Sequence, residues 1–316
     1  MIAMGSLTVR RAGFFTTVQD GGRYGYQPYG VPVSGAMDWL SAELANRLVG
    51  NPAGTALLEI TLGEFSCVMD RESWVAVTGA DVAVALDSGA SPGVWQAFKV
   101  MAGEELRLSR PPGTTGMRSY MAVAGGFRLD PVLGSCSTFV AAGIGPLPRP
   151  LKAGDRLDLG SPGGVPVPQA LPIRLRPRFP KEVTVRVVLG PQAHRFTDEA
   201  VRTFLGEVFV VTPQSDRTGY RLQGPPIRHT EAADIISDPI PTGAVQVPGS
   251  GQPVLLMVDH RVTGGYAKIA TVIGCDLPLV GQMAPGSGIR FGAVSVDQAH
   301  AARRELRQAL AAAGFA

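Results

Sequence analysis

Residues 56–126 carry ALLEIT (56–61), FSCVMD (65–70), WVAVTG (74–79), VAVAL (82–86), VWQAFKV (94–100), ELRLS (105–109) and SYMAVAGG (119–126). Each run is short, rich in β-branched and aromatic residues, and bounded by Gly, Pro, Asp or Ser. No helical pattern of about 10–15 residues separates them, as parallel βαβ units would require. Short strands at turn-punctuated spacing predict an all-β barrel or sandwich, so the first half of the chain reads as mainly β.

Upstream, TVQDGGRYGYQPYGVPVSGAMD (17–38) is dense in glycine and polar groups and then enters a helical pattern. Met37, Leu40, Leu44 and Leu48 recur at the spacing of one helix face before Gly50, Asn51 and Pro52 stop the run, and Ser34 is the expected N-cap. Asp20-Gly21-Gly22-Arg23 reads equally as a turn with a local ion pair and as a binding loop.

Downstream, LKAGDRLDLG (151–160) reads as a turn and a closing strand. The proline-rich passage from Gly160 to Lys181 has no periodicity, and we expect a domain boundary there, giving domains 1–165 and 166–316. The second half opens with the strand VTVRVVLG (183–190), a short helix over 191–205 and the strand EVFVVT (207–212). It ends on a helix capped by Ser295, with Gln298 at the capping-box position and Ala299, Ala302, Leu306, Ala309 and Leu310 on one face. Gly25-Tyr26 with Gly30 and Pro32 is echoed by Gly219-Tyr220 with Gly224 and Pro226, which raises the expectation of a duplicated barrel.

Composition narrows the function classes. Charged residues are 17% of the 316, below the roughly 25% of an average soluble domain, so apolar surface must be hidden in cores or against a partner. The net charge of +3 comes from scattered Lys and Arg with no basic run, which argues against a nucleic-acid partner. No apolar run approaches the length of a membrane span and the first residues lack a signal-peptide core, so a cytoplasmic location is the expectation. Cys67, Cys136 and Cys275 form no CxxC and are expected to be reduced, buried small hydrophobes.

The chemistry is expected between Gly243 and Gly288, which holds the apolar strand Val254 to Val258, the cluster Asp259-His260-Arg261, and Gly264-Gly265 ahead of Tyr266 and Lys268. Paired glycines let backbone N–H groups approach a ligand, and successive N–H groups can form an anion-binding concavity. No P-loop, HExxH, cysteine-pair metal site or Gly-x-Ser-x-Gly elbow is present. His194, His229, His260 and His300 are too dispersed for a metal cluster, and no metal site is expected.

Four segments then act jointly: TVQDGGRYGYQPYGVPVSGAMD, LVGN with LEITLG, SDRTGYRLQG (215–224), and GAVQVPGSGQPVLLMVDHRVTGGYAKIATVIGCDL (243–277). Together they resemble the biotin-dependent carboxyltransferase-like family, which includes allophanate hydrolase subunit 2, the matching part of urea carboxylase, and the C subunit of bacterial 5-oxoprolinase. The resemblance implies two tandem cyclophilin-like β-barrels and a heteromer with subunit-B-like and subunit-A-like proteins. The sequence departs from the family pattern at Cys136, where Arg is expected, at Thr218 in place of Met, and at Ala267 in place of Pro.

The resemblance implies an ATP-dependent lactam hydrolase, with Mg-bound ATP activating the lactam oxygen in the assembled complex, and a subunit that is inactive alone. Such a site needs cations and N–H donors for the developing charge. The candidate catalytic residues are Asp216, Asp259 and Lys268. Candidate substrate-binding residues are Gln19, Asp20, Arg23, Arg217, Tyr220, Gln246, Thr263, Gly264, Gly265 and Tyr266. Asp216-Arg217 and Asp259-Arg261 serve equally well as fold-stabilising pairs, and the functional reading rests on the cluster. Two further expectations stay open: carboxyl transfer from biotin carried on another protein, since no lysine stands between two methionines here, and a regulatory antagonist that binds a subunit-B-like kinase inhibitor.

Overall fold

The computed structural model describes residues 5–163 and 170–315. The chain divides into two compact units. One holds the residues up to Tyr24 together with Ser34–Pro177, and the other holds Gly25–Val33 together with Arg178–Gly314. The boundary expected at 165/166 lies outside the described residues, and the division falls between Pro177 and Arg178.

The first unit is two five-stranded antiparallel sheets. One runs Arg156–Asp158, Ser6–Arg11, Phe65–Met69, Glu105–Ser109, Ala83–Leu86, and the other Phe15–Gln19, Leu57–Thr61, Arg118–Val123, Ser73–Gly79, Ala97–Val100. They share one core. Leu7, Val9, Cys67, Met69, Leu106 and Leu108 of the first sheet are buried with Val18, Leu58, Ile60, Val75, Val77, Met121 and Val123 of the second. Alternation is clean in Glu105–Ser109, whose outer positions are half-buried (Glu105) or exposed (Arg107, Ser109), but Leu57–Thr61 and Arg118–Val123 are buried on both faces. The covering element is helix α1 (Trp39–Leu48), which packs on the second sheet.

Helix α1 begins at Asp38 and not at Ser34. The Asp38 carboxylate accepts from the Ser41 N–H at 2.9 Å, a cap worth about 1 kcal/mol, while Ser34 sits in the left-handed region at φ 57°. The entry to the helix is fixed to the sheet by a buried relay. Glu59 accepts from the Met37 N–H (2.8 Å) and the Tyr120 hydroxyl (2.9 Å), and that hydroxyl accepts from the Asp38 N–H (2.8 Å).

The second unit is a closed seven-stranded barrel in the order Glu182–Leu189, Lys268–Val272, Ala244–Gln246, Val254–Leu256, Gly219–Gln223, Phe209–Val211, Gly288–Ala293. Six of the seven pairings are antiparallel, and the barrel closes through a parallel pairing of Glu182–Leu189 with Gly288–Ala293. A separate two-stranded ribbon pairs Asp234–Pro239 with Thr263–Tyr266. The helix expected over 191–205 resolves into a 3-10 turn, Ala193–Arg195, and helix α2 (Asp198–Gly206). The interruption is the Thr197 cap, whose hydroxyl accepts from the Ala200 N–H and leaves Thr197 itself extended. Phe204 of α2 stacks on Phe291 with ring centroids 4.3 Å apart. After the short helix α3 (Leu277–Gly281), helix α4 (Val296–Ala312) carries the expected capping box, with both Ser295–Gln298 bonds formed; of its expected apolar face Ala302 and Leu310 are buried, Ala299 and Leu306 half-buried, and Ala309 exposed.

The fold is thus mainly β with four α-helices among the described residues. The sequence echo is matched only in its turn: Asp20 and Asp216 each accept from the N–H two residues on, but Gly25-Tyr26 leads into an exposed 3-10 turn (Gln27–Tyr29), while Gly219-Tyr220 opens a barrel strand with Tyr220 buried. Among the described residues no helix is long and apolar enough to cross a membrane.

Candidate functional site

Strand pairing in the barrel sets Arg221 opposite Val254, Val254 opposite Gln246, and, across a bulge, Gln246 opposite Lys268. Residues directly opposite on neighbouring strands share a face. Arg221, Val254 and Gln246 therefore share one face, along which exposure falls from Arg221 (exposed) through Val254 (half-buried) to Gln246 (6% exposed), while Tyr220, Leu222, Val245 and Leu255 are buried on the other. Arg221, Gln246 and Val254 line an open cleft of about 790 Å³, with Gln214, Gln223, Gln252 and Tyr266 among its other walls.

The polar groups of this cleft differ in how far they are already used. The Gln252 side chain accepts from the Gly224 N–H (2.9 Å) and donates to the Gly224 carbonyl (3.0 Å), so it serves as a clamp on the chain. Gln246 donates to the Tyr266 carbonyl at 3.2 Å, which holds the ribbon against the barrel and leaves the amide oxygen of Gln246 without a partner among the described residues. Arg221 bonds only through its backbone, leaving its guanidinium without a hydrogen bond or ion pair to them. Among the described residues no Asp or Glu lines the cleft.

Lys268, expected as a catalytic cation, is 3% exposed, and its ammonium pairs with Asp238 on the ribbon. The other Asp238 oxygen accepts from the Gln192 amide at 3.1 Å, and the Gln192 oxygen accepts from the Lys268 N–H at 3.3 Å. The three residues form a closed circuit between the barrel, the ribbon and the turn before α2. Gly264 and Gly265 lie inside the ribbon strand, and neither has the positive φ that an N–H concavity uses. Gly264 is needed for space, because a Cβ there would stand 2.6 Å from Ile240 Cδ1 and 2.8 Å from Gln246 Nε2. Thr263 is exposed on the same strand.

Arg217 and Asp259 form a second, separate pair. The guanidinium meets the carboxylate through two bonds of 2.8 and 3.2 Å, both residues are buried, and their backbones are joined by Asp259 N–H to Arg217 O at 3.0 Å. The exposed Asp216 spends one carboxylate oxygen on the Thr218 and Gly219 N–H groups (2.7 and 3.2 Å), which closes the turn into the barrel strand. Tyr220 is 2% exposed and belongs to the buried face of that strand. His260 is also buried, with Nδ1 2.6 Å from the Arg261 carbonyl and Nε2 3.1 Å from the Thr242 hydroxyl. Burial pushes its imidazole below the usual histidine range, against smaller upward pulls from the Arg261 carbonyl and the Asp259 charge.

Gln19, Asp20 and Arg23 belong to the first unit, where they join two loops. The Asp20 carboxylate accepts from the Gly22 N–H (2.8 Å), the Cys136 N–H (2.6 Å) and the Ser135 and Ser137 hydroxyls. Arg23, fully buried, donates to the carbonyls of Val132 (3.1 Å) and Ser137 (2.8 Å), and Gln19 donates to that of Thr138 (3.1 Å). The candidates thus fall into three groups. Only Gln246 and Tyr266 line the cleft, with Lys268 paired to Gln246 from the next barrel strand and Thr263 to Gly265 preceding Tyr266 on the ribbon. Arg221, Asp238 and Gln192 were missed. Arg221 was legible as the outward residue between apolar Tyr220 and Leu222, whereas Asp238 stands thirty residues from Lys268 and nothing in the sequence links them. Among the described residues, no group of three or more His, Cys, Asp or Glu could hold a metal ion.

The profile of the family described as "Carboxyltransferase domain, subdomain A and B" matches residues 29–293. The chain belongs to this family. It is 39% identical over 306 residues to the C subunit of the 5-oxoprolinase of Escherichia coli K12, covering 95% of this chain and 94% of that protein. The solved structure of TTHA0988 superposes with a TM-score of 0.82 at 38% identity, and the chain spans about half (56%) of that longer protein. The K. lactis urea amidolyase structure gives a TM-score of 0.92 at 30% identity over 98% of this chain and 20% of that one.

The departures from the pattern of the carboxyltransferase-domain family have local physical readings. Cys136 is buried in the first core, and burial raises its thiol to about 11. It serves the Asp20 hub through its N–H. Ala267 donates its N–H to the Ala233 carbonyl at 3.2 Å, a bond that proline could not make. Thr218 is exposed in the Asp216 turn. Of the three cysteines, Cys67 and Cys136 are buried as expected, while Cys275 is only half-buried beside Asp276.

Proposed function

We propose that this chain is a subunit of a 5-oxoprolinase, an ATP-dependent assembly with subunit-A-like and subunit-B-like proteins that opens 5-oxoproline to glutamate. The observation that carries this reading is the likeness to the C subunit of the E. coli enzyme along nearly the whole of both chains. The cleft supports it, because an amide-rich wall with a single cation suits a small lactam acid.

A nucleoside triphosphate does not suit the same walls. Its roughly four negative charges call for several cations or N–H donors. Among the described residues the cleft offers Arg221 alone, since Lys268 does not line it and is spent on Asp238. Binding of ATP and Mg therefore belongs to the other subunits, and the chain alone is inactive. Within the assembly this chain binds and orients the lactam, with the Gln246 amide and the ribbon holding the ring in place. Lys268 and Asp238 act as positioning residues that keep the ribbon on the barrel. We assign the reaction to the cytoplasm, where ATP is available.

The superposition on K. lactis urea amidolyase favours a second reading, carboxyl transfer to urea or an amide with biotin on another protein. The deciding measurement is glutamate release from 5-oxoproline by the chain co-purified with its subunit-B-like partner and mixed with the subunit-A-like protein, with and without ATP. ATP-dependent release that is lost in an assembled K268A complex supports the oxoprolinase. A stable complex without release, or robust hydrolysis by the isolated chain, overturns it.

A further inference from the structure

The cleft contains one charged group whose charge no described residue answers. Arg221 lies on the outward face of its strand, its guanidinium makes no bond to the described residues, and none of their carboxylates lines the cavity. The other arginines on the barrel strands are committed, Arg186 to Asp276 and Arg290 to Glu182, as is Arg217, just ahead of the strand, to Asp259. A planar guanidinium facing an acid-free cavity is matched by a carboxylate, which it can hold through two parallel bonds.

The row across the strands fixes what lies beside that carboxylate. Strands stand about 4.8 Å apart, so Arg221 and Gln246 are about 10 Å apart at the backbone, with Val254 between them as an apolar floor. An extended arginine side chain is long enough to span much of such a gap. At the far side waits the unused Gln246 oxygen, an acceptor fixed in place because the same amide donates to the Tyr266 carbonyl. An acceptor close to a carboxylate anchor fits a ligand whose N–H stands next to the carbon bearing its carboxylate.

We propose that the cleft recognises a carboxylate adjacent to an amide N–H, with Arg221 holding the carboxylate and the Gln246 oxygen accepting from the N–H. The inference rests on the oxoprolinase reading for the lactam ring, but the carboxylate subsite can be tested by itself. The full chain is titrated calorimetrically with 5-oxoproline and with 2-pyrrolidone, the same ring without the carboxylate. Wild type is expected to bind 5-oxoproline about tenfold or more tightly than 2-pyrrolidone, the ratio of one charge-assisted bond. R221Q is expected to lose that preference at an unchanged melting temperature, and R221K to keep part of it. A preference that survives in R221Q, or a wild-type chain that favours neither ligand, overturns the proposal. If the preference behaves as expected while the assembly releases no glutamate, the subsite stands and the oxoprolinase reading falls. If glutamate is released but R221Q leaves the KM for 5-oxoproline unchanged, the reverse holds.

Discussion

Asp238 holds Lys268 across the gap between the ribbon and the barrel, and the two ends of the pair are unequally wet: the lysine side chain is 3% exposed and the aspartate 33%. Removing either partner should therefore have unequal effects. D238A leaves a buried ammonium with no carboxylate, a loss of about 3–5 kcal/mol. K268A leaves a carboxylate that water can reach and should cost roughly half as much. Urea denaturation of both variants measures the difference, and a K268A loss equal to or larger than that of D238A would count against this description of the pair.

Gly264 provides a change that acts on the cleft more than on the fold. In G264A the new methyl group meets only the ends of two side chains, Ile240 Cδ1 and Gln246 Nε2, so both can move aside at a cost of about 1 kcal/mol. The Gln246 amide then shifts off the Tyr266 carbonyl. Near-native stability with 5-oxoproline binding weakened several-fold is the expected outcome of melting and calorimetry. Unchanged affinity would separate Gln246 from the ligand.

His260 gives the second unit a dependence on mild acid. Burial lowers its folded pKa below the unfolded value near 6.5. The unfolded chain therefore binds more protons as pH falls through that value, and stability, full above it, is lost towards lower pH. Between pH 7.5 and 5 the wild-type melting temperature should fall, and H260Q should flatten that slope. An equal slope in both proteins would show that the imidazole is not its source.

For Asp20 the outcome distinguishes a structural hub from a ligand site. In D20N one carboxylate oxygen becomes a donor that faces the hydroxyls and N–H groups now bonded to it. With about 1–3 kcal/mol for each unmatched buried donor, the variant should lose about 2 kcal/mol or more of stability. The assembled enzyme, once folded, should keep its KM. A raised KM at wild-type stability would return Asp20 to the binding residues.

How much of this was legible in the sequence depended on the range of the signal. Strands such as Glu105–Ser109 were readable because alternation is local, and the Ser295–Gln298 box because its two residues stand one helical turn apart. Ser34 was mistaken for a cap because the sequence does not show that the chain turns left-handed there and that Asp38 reaches the Ser41 N–H instead. Gly264-Gly265 read as an anion-binding concavity because their partner strand, Asp234–Pro239, is mostly exposed and lacks a hydrophobic pattern. Lys268 was found by its charge, but its burial and its partner come from pairing across the ribbon. Arg217 and Asp259 stand apart from Lys268 as a buried pair with each other, where the sequence sets Arg217 beside Asp216 and Asp259 beside Arg261; no spacing rule discloses a partner forty-two residues away.

The parallel closure of the barrel has a consequence for synthesis. Glu182 faces Gly288 more than one hundred residues later, and six consecutive pairs of this kind form the seam. Contacts so distant in sequence carry the loop-closure cost that slows folding. A ribosome must release nearly the whole second unit before its first strand can close this seam, and until then Glu182–Leu189 presents an open edge to other chains. The nascent protein therefore depends on a late event, and early capture by a chaperone or by a partner subunit would protect the half of the molecule that contains the cleft.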